Sequence, residues 1–203
     1  MKRLSAIMSV LFLCCFGLSG GEKQKLHFGL EWGLSYNIKS YYHFNYLDAT
    51  VGYRVDEKGW EQIGDSNAFI AAFMSLDMGK HLDLSLRAGY FGVSDARRVF
   101  PLMLQGNCYL RGNDCDGVFF SAGAGLVLGD FVNAQYTYLL RHGAGYRLAL
   151  GSDDYLDFNL SIRCAYDRPR VWDRAEKEYV TGRNTLRNNI WYYALCFGFA
   201  LSF

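Results

Sequence analysis

The sequence is poor in proline, in unbalanced charge and in long apolar runs. Of its 203 residues, two are proline and 22 are glycine, while tyrosine and phenylalanine occur fifteen times each. This composition favours many short strands joined by turns over long helices, and the length leaves room for one all-β domain. The formal net charge is only +1, so no nucleic-acid partner is expected.

The one long unbroken apolar stretch lies at the start, over residues 4–18. Two basic residues precede it and small residues follow it, a pattern typical of a secretory signal peptide. We predict a signal peptide over residues 1–19, cleaved after Ser19 or alternatively after Gly20. A membrane-anchoring helix is disfavoured because the stretch is shorter than the roughly 20 residues that span a bilayer.

Two cysteines inside the apolar stretch raise the alternative of a lipoprotein. Acylation requires small residues just before the cysteine, whereas bulky Phe12 and Leu13 precede Cys14 and Cys15. The pattern therefore favours a cleaved signal peptide over a lipid anchor.

Beyond this start, apolar and small or polar residues alternate with a period of two. In residues 26–38 every even position is apolar. The other alternating segments are residues 70–78, 82–90, 118–128, 132–140, 146–150, 156–166 and 191–203. Most are close to the roughly 9 to 11 residues with which a tilted strand crosses an outer membrane. Eight strands predict a membrane-spanning, antiparallel up-and-down β-barrel over residues 26–203.

A soluble β-sandwich would alternate as well. Its outer face would be rich in lysine and glutamate, whereas the second face here carries many glycine, alanine and serine residues, which suit a narrow lumen. Aromatic residues also lie near strand ends, as membrane interfaces require. They are Trp32, Tyr36, Tyr90, Tyr136, Tyr138, Tyr146, Tyr166, Trp191 and Tyr193. The barrel is therefore favoured over the sandwich.

The connections alternate in length, as they do in outer-membrane barrels. Short periplasmic turns are predicted at residues 79–81, 129–130 and 151–154. Long outer loops are predicted at residues 39–67, 95–117 and 167–189. The tight connection at residues 142–143 also falls on the outer side. Within the first loop we expect a projecting hairpin that turns at residues 56–59.

The end of the chain carries its most specific pattern. The apolar residues of the last segment alternate up to a final phenylalanine, and they are Tyr193, Leu195, Phe197, Phe199, Leu201 and Phe203. This segment resembles the signal read by the barrel assembly machinery, and the chain resembles the small outer-membrane barrels of the OmpA and OmpX type over residues 26–203.

The resemblance implies export to the outer membrane of a Gram-negative bacterium, with periplasmic chaperones and the assembly machinery as partners. It implies no single function, because such barrels include wall-tethering anchors, adhesins, complement-evasion proteins and lipid A-modifying enzymes. The wall-binding domain that follows some of these barrels is not expected here.

The lumen-facing positions carry charges of both signs. They are Glu31, Asp77, Asp83, Arg87, Arg141, Arg147, Asp157 and Arg163. An eight-stranded interior leaves space for side chains and little else, and unpaired charges there would be costly. We therefore expect a paired polar network that plugs the lumen. A narrow channel for ions or small solutes is the alternative.

A lipid A-modifying enzyme is a further alternative, because such enzymes share this architecture. The related deacylases carry a His-x-Ser-Asn arrangement, which none of the four histidines, His27, His43, His81 and His142, begins. A serine nucleophile needs a histidine within hydrogen-bond reach, and no serine can be assigned to one. No catalytic residue and no cofactor are predicted.

The cysteines beyond the signal peptide divide into two pairs. Cys108 and Cys115 flank a polar stretch in a predicted outer loop, and an oxidising compartment would let them form a disulfide. A metal site is the alternative, although two thiols without a nearby histidine make a poor one. Cys164 and Cys196 differ in parity, so their side chains are expected on opposite sides of the barrel and unbonded.

The last long loop mixes basic and acidic residues with aromatic ones. Arginines in such a loop suit contacts with lipopolysaccharide phosphates. The sequence therefore predicts a monomeric, surface-exposed structural or binding protein. Its predicted partners are outer-membrane lipids, including lipopolysaccharide, and an unidentified surface ligand held by the outer loops.

Overall fold

A computed structural model gives the structure of most of the chain. It describes residues 25–48, 52–94, 97–127, 137–151, 153–173, 178–180 and 184–203. The predicted signal peptide, the predicted turn at 129–130 and most of the predicted strand at 132–140 lie outside the described residues. Over the described ranges, no helix is both long and apolar enough to cross a membrane.

The described residues form twelve β-strands. They are β1 (Leu26–Leu47), β2 (Arg54–Gln62), β3 (Ser66–Asp77), β4 (Leu82–Ser94), β5 (Arg97–Val99), β6 (Pro101–Tyr109), β7 (Gly117–Val127), β8 (Tyr138–Ala149), β9 (Tyr155–Asp167), β10 (Trp172–Asp173), β11 (Glu178–Tyr179) and β12 (Thr185–Ser202).

Eight of these strands pair edge to edge in one closed sheet. The order is β1, β3, β4, β6, β7, β8, β9 and β12, and every neighbouring pair is antiparallel. β12 then pairs with β1, from Ser202 opposite Gly29 to Thr185 opposite Tyr46, which closes the sheet. The predicted eight-stranded antiparallel barrel is confirmed.

Two of the individual strand assignments are wrong, and the two errors cancel in the count. Residues 101–109, predicted to lie in an outer loop, form the barrel strand β6. β8 is continuous where the sequence predicted two strands joined by a turn at residues 142–143. Gly143 and Gly145 there are not turn residues. A side chain on Gly145 would meet the Phe119 ring, so a neighbour's aromatic side chain uses that space.

The extra strand reverses the direction predicted for β7 and moves its preceding loop to the other end of the barrel. Residues 110–116 lie beside the β3–β4 turn, where the Asn113 N–H donates to Lys80 O at 2.8 Å. Lys25, Phe203 and residues 153–154 lie there too, since Lys25 Nζ is 2.7 Å from Asp153 Oδ1 and the Phe203 N–H donates to Phe28 O at 2.9 Å. We call this the terminal end, and the opposite end the hairpin end.

At the hairpin end β1 and β12 extend beyond β3 and, together with β2, form a three-stranded wall. It is made of residues 39–47 of β1, all of β2, and residues 185–193 of β12, of which 190–193 also pair with β9. The predicted projecting hairpin is thus present, but its turn is not at residues 56–59, which lie inside β2. Leu47 pairs with Arg54 instead, so the chain reverses between these two residues, and Gly52 there has a φ of +69°, which glycine adopts readily.

The two faces of the barrel strands differ in polarity as the alternation predicted. Large apolar side chains are exposed on the exterior, including Leu34 at 62%, Leu160 at 54% and Phe120 at 53%. Polar and charged side chains are buried inside, among them Ser85, Gln105 and Arg163 at 1% or less. A soluble sandwich would bury the apolar face instead, so this arrangement suits an apolar solvent outside the barrel.

Candidate functional sites: the lumen and the hairpin-end wall

The middle of the lumen holds one carboxylate between two arginines from different strands. Arg141 Nη1 lies 2.7 Å from Glu31 Oε1, and Arg87 Nη1 donates to Glu31 Oε2. All three side chains are at most 5% exposed. β1, β4 and β8 supply them, so the group connects distant parts of the barrel.

A second cluster fills the lumen towards the terminal end. Arg147 on β8 donates to both carboxylate oxygens of Asp157 on β9, each at 2.7 Å. Asp83 accepts from the Tyr109 hydroxyl at 2.6 Å and from Asn107 Nδ2 at 2.8 Å. Parallel bonds from a planar guanidinium fix the geometry of a carboxylate more firmly than a single contact does.

The remaining predicted lumen residues have other partners. Asp77 is half-buried at the terminal end, where His27 Nε2 lies 3.2 Å from its Oδ2 atom. Arg163 is 1% exposed and donates to Asn37 Oδ1 at 3.3 Å. The structure thus places the predicted charged residues along the lumen but in separate groups along its length.

Some interior polar residues were missed by the sequence reasoning. Tyr109, Asn107 and Gln105 belong to β6, a stretch that the sequence predicts as part of an outer loop. Alternation with Leu102 and Leu104 was the signal that could have found them. At the hairpin end, Arg97, Thr137 and Asp167 form another group, in which Thr137 Oγ1 donates to Asp167 Oδ1 at 2.7 Å.

Aromatic rings occupy much of the space between the polar groups. The guanidinium carbon of Arg147 lies 4.3 Å from the Tyr109 ring centroid and 4.6 Å from that of Tyr155. Side chains on Gly29 or Gly33 would meet the Phe73 or Phe69 ring. At these two glycines, a neighbouring aromatic ring occupies the space that a side chain would take.

Little free space is left inside. A cavity of about 10 Å³ lies beside His27, Asp83, Arg87, Arg147 and Asp157. That volume has room for about one water molecule. In the described part of the chain, this cavity is the size of a hydration site and far below that of a small-molecule pocket.

The expected disulfide between Cys108 and Cys115 is not formed, since both are free thiols. Both lie at the terminal end of the barrel. Cys108 faces outwards on β6, whereas Cys115 lies in the following turn, where its thiol donates to Gly112 O at 3.8 Å. Cys164 and Cys196 are unbonded as well, with Cys196 buried in the lumen, as their parity predicts.

His43 and His81 have hydrogen-bond partners other than serine, and His142 lies on the exterior. His43 Nε2 lies 2.9 Å from Asp56 Oδ1, and His81 Nδ1 lies 2.8 Å from Tyr109 O. His142 was predicted at the rim, but it is an exposed residue within β8. Within the described part of the chain, no group of three His, Cys, Asp or Glu side chains could hold a metal.

The exterior at the hairpin end carries an unbroken row of aromatic residues. Cross-strand pairing places one on each of five adjacent strands, in the order Tyr138, Tyr166, Trp191, Tyr41 and Trp60. The rings of Tyr166 and Trp191 are 4.8 Å apart, and those of Tyr41 and Trp60 are 5.1 Å apart. Three of the five were predicted as interfacial residues, whereas Tyr41 and Trp60 were not. We call this set the aromatic row.

Fold and sites together define a closed eight-stranded β-barrel with a packed polar interior, an apolar exterior and a wall at one end. No family model matches the sequence, and no curated protein matches it. Among solved structures, the outer membrane protein OprG from Pseudomonas aeruginosa is similar, with a TM-score of 0.49 and 12% identity over 92% of this chain and 99% of that chain.

The Salmonella secretin InvG, from a type III secretion injectisome, also matches, with a TM-score of 0.22 and 8% identity. This match covers 96% of the present chain and 63% of the secretin chain. Similarities this distant assign no function to the present chain.

Proposed function

We propose that the chain is an integral outer-membrane protein with a plugged lumen, which acts at the cell surface as a structural or binding protein. The observation that carries this proposal is the inverted polarity of the barrel, with exposed leucines outside and ion-paired arginines inside. Only an apolar solvent makes such an exterior favourable, and closure leaves no unpaired sheet edge in that solvent.

The orientation follows from the lengths of the connections. Outer-membrane barrels have short periplasmic turns and longer outer loops. The terminal end has tight connections such as residues 78–81, whereas the hairpin end carries the wall and the β10–β11 ribbon. We therefore assign the hairpin end to the cell exterior, and export by a signal peptide over residues 1–19 belongs to this proposal.

Assembly as in barrels of the OmpA and OmpX type also belongs to the proposal. The proposed assembly signal, Tyr193 to Phe203, lies on β12 at the closure of the barrel, where the Phe203 N–H donates to Phe28 O at 2.9 Å. Periplasmic chaperones, the assembly machinery and outer-membrane lipids would be its partners. The last step of assembly would be the pairing of β12 with β1.

The plugged lumen is supported by its packing. Arginines paired with Glu31 and Asp157 block two levels, and the cavity between them has a volume of about 10 Å³. An ion path would need a continuous file of water, so we expect a structural interior and not a pore.

Conductance measurements test the plugged lumen. Protein refolded into planar bilayers should give no discrete openings, with insertion verified by protection of the barrel from protease. Reproducible unitary openings of the inserted protein would instead support the channel alternative.

Surface labelling tests the location and the orientation. In a background where the four barrel cysteines are alanine, Lys58→Cys lies on the wall and Lys80→Cys lies at the terminal end, both at exposed positions. A membrane-impermeant maleimide should label the first in intact cells and the second only after permeabilisation. Equal labelling, or the reverse order, would contradict the proposal.

A further inference from the structure

The outer face of the wall places cations around the aromatic row. A register shift between Asn37 and Lys39 turns Lys39 outwards, opposite Tyr193. Its ammonium nitrogen lies 4.5 Å from the Trp60 ring centroid. Just beyond the end of β9, Arg168 Nε donates to the Tyr166 hydroxyl at 2.9 Å. Cations are thus in contact with the row at two places.

Further basic residues lie on the same face, at the next two outward-facing cross-strand pairs on the side of the row away from the barrel. His43 is opposite Lys58, and the next outward pair joins Asn45 to Arg187. Arg187 Nη1 lies 3.2 Å from His43 Nδ1, which brings β12 and β1 together at this point. The basic residues therefore continue directly from the aromatic row and away from the barrel.

Acidic residues of the wall are mostly on its other face. Glu57 and Glu61 pair with Phe44 and Ser40 of β1. These β1 residues alternate with the outward ones, so both glutamates lie on the face of the wall opposite the aromatic row. Asp56 lies on the outer face, and its hydrogen bond to His43 holds the pKa of the Asp56 carboxyl below its usual range. The described outer face of the wall thus carries the single carboxylate of Asp56 and the positive charges of Lys39, Lys58 and Arg187.

The position of this face selects the chemistry of its partner. Rows of tyrosine and tryptophan lie at the depth where a bilayer meets water. Lys39 starts one pair on the barrel side of the row but extends its ammonium to the Trp60 ring, whereas Lys58 and Arg187 lie beyond the row, so these cations face lipid headgroups. Arginine and lysine bind phosphate through charge-assisted hydrogen bonds. The faces of Trp60 and Tyr41 offer flat apolar surfaces on which a sugar ring can pack. A phosphorylated sugar headgroup matches both features.

We propose that the outer face of the wall is a binding site for the phosphorylated disaccharide headgroup of a glycolipid of the lipid A class. Lys39, Lys58 and Arg187 bind its phosphates, and Trp60 packs against a sugar ring. This inference rests on the proposed function, because it requires the barrel in an outer membrane with the hairpin end outside.

Native mass spectrometry of the detergent-solubilised, folded barrel tests the site. Bisphosphorylated lipid A should bind more tightly than lipid A stripped of its phosphates, and more tightly than phosphatidylglycerol, which has a phosphodiester but no phosphorylated sugar. The triple variant K39Q/K58Q/R187Q should lose affinity for bisphosphorylated lipid A by at least about tenfold, because each cation near a charged membrane surface contributes separately.

The matched control removes three exposed cations from the terminal end, in the variant K25Q/K80Q/R111Q. It should bind lipid A like the unmodified chain, and Asp56→Asn should bind it more tightly because a repelling charge is lost. Equal binding by both triple variants would overturn the site, as would equal binding of phosphate-free lipid A. Equal binding of phosphatidylglycerol would reduce the site to a non-specific anionic contact and overturn the glycolipid assignment.

The two proposals fail separately. Each variant is first shown to be folded by its resistance to unfolding in cold detergent, and inserted by protease protection in vesicles. If the barrel inserts and is labelled at Lys58→Cys from outside but shows no phosphate-dependent lipid binding, the proposed function stands and the glycolipid site does not.

Discussion

Glu31 has two arginine partners in the middle of the barrel, so the loss of its charge leaves two buried arginines without their carboxylate. Its carboxylate is 1% exposed and pairs with Arg87 and Arg141. Burial of three charges carries a large desolvation cost, which their attraction offsets only while the group is complete. The group therefore contributes to the stability of the barrel only when all three charges are present.

We expect Glu31→Gln to destabilise the barrel by about 3 to 5 kcal/mol, the cost of leaving buried charges without their partner. Urea unfolding of the protein in lipid vesicles would measure the free energy change. As a control, E31L/R87M/R141M removes all three charges together and should recover most of that loss. A Glu31→Gln variant as stable as the parent would show that water or other groups solvate the two arginines.

Among the elements, every barrel strand has side chains that alternate between the two faces, but the alternation of apolar and polar residues is clearer in some strand sequences than in others. β1 alternates without interruption along its barrel half, so its faces were correctly predicted. In β6 the outward face changes from Leu102 and Leu104 to Gly106 and Cys108. Its inward face mixes Met103 with Gln105 and Asn107, so neither face is uniform and the strand was not predicted. β8 was wrongly predicted as two strands because tertiary packing overrides local composition there. Its Gly145 is not a turn residue, since the Phe119 ring occupies the space that a side chain would take.

A matched pair of substitutions tests whether the strands cross a bilayer. Leu160 lies in the middle of β9 and is 54% exposed, while Leu150 lies just beyond β8 at the terminal end and is 58% exposed. Leu160→Arg should cost about 2 to 4 kcal/mol in a bilayer, against about 1 kcal/mol or less for Leu150→Arg, because the cost of an arginine depends on depth.

Unfolding of the two variants in vesicles provides this comparison, since their chemistry and exposure are nearly the same. Equal costs would mean that Leu160 does not lie deeper in the bilayer than Leu150, and would contradict the membrane-spanning assignment.

At the scale of the whole molecule, closure depends on the pairing of the first and last barrel strands. Ser35 lies directly opposite Cys196 across the β1–β12 junction, and both side chains are buried. Residues paired in this way have Cα atoms roughly 4.5 to 5.5 Å apart, within the range that a disulfide requires. Closure can therefore be tested with one substitution.

We expect Ser35→Cys to form a disulfide with Cys196 on oxidation, detected as a faster-migrating, reducible form on a denaturing gel. Ser85→Cys is an equally buried serine replacement on β4, which β1 and β3 separate from β12, so it should form no such bridge. If Ser35→Cys remained reduced while Cys196 was accessible to oxidant, the β1–β12 register would be wrong.

The sequence by itself determined the barrel class and the side of the barrel on which most side chains lie, because alternation with a period of two is a local property of each strand. It did not determine which strands are neighbours, so it placed the correct number of strands but the wrong direction for β7. Pairing between Glu31 and Arg87 joins residues 56 positions apart, and only closure of the sheet brings them together.

Wall geometry was likewise decided by the tertiary structure. A single register shift after Asn37 turns Lys39 to the exterior, and pairing across β12, β1 and β2 then aligns Trp191, Tyr41 and Trp60. No run of consecutive residues contains that row. Its members come from five different strands, and hydrogen bonds between those strands, not the composition of any one of them, set their common level.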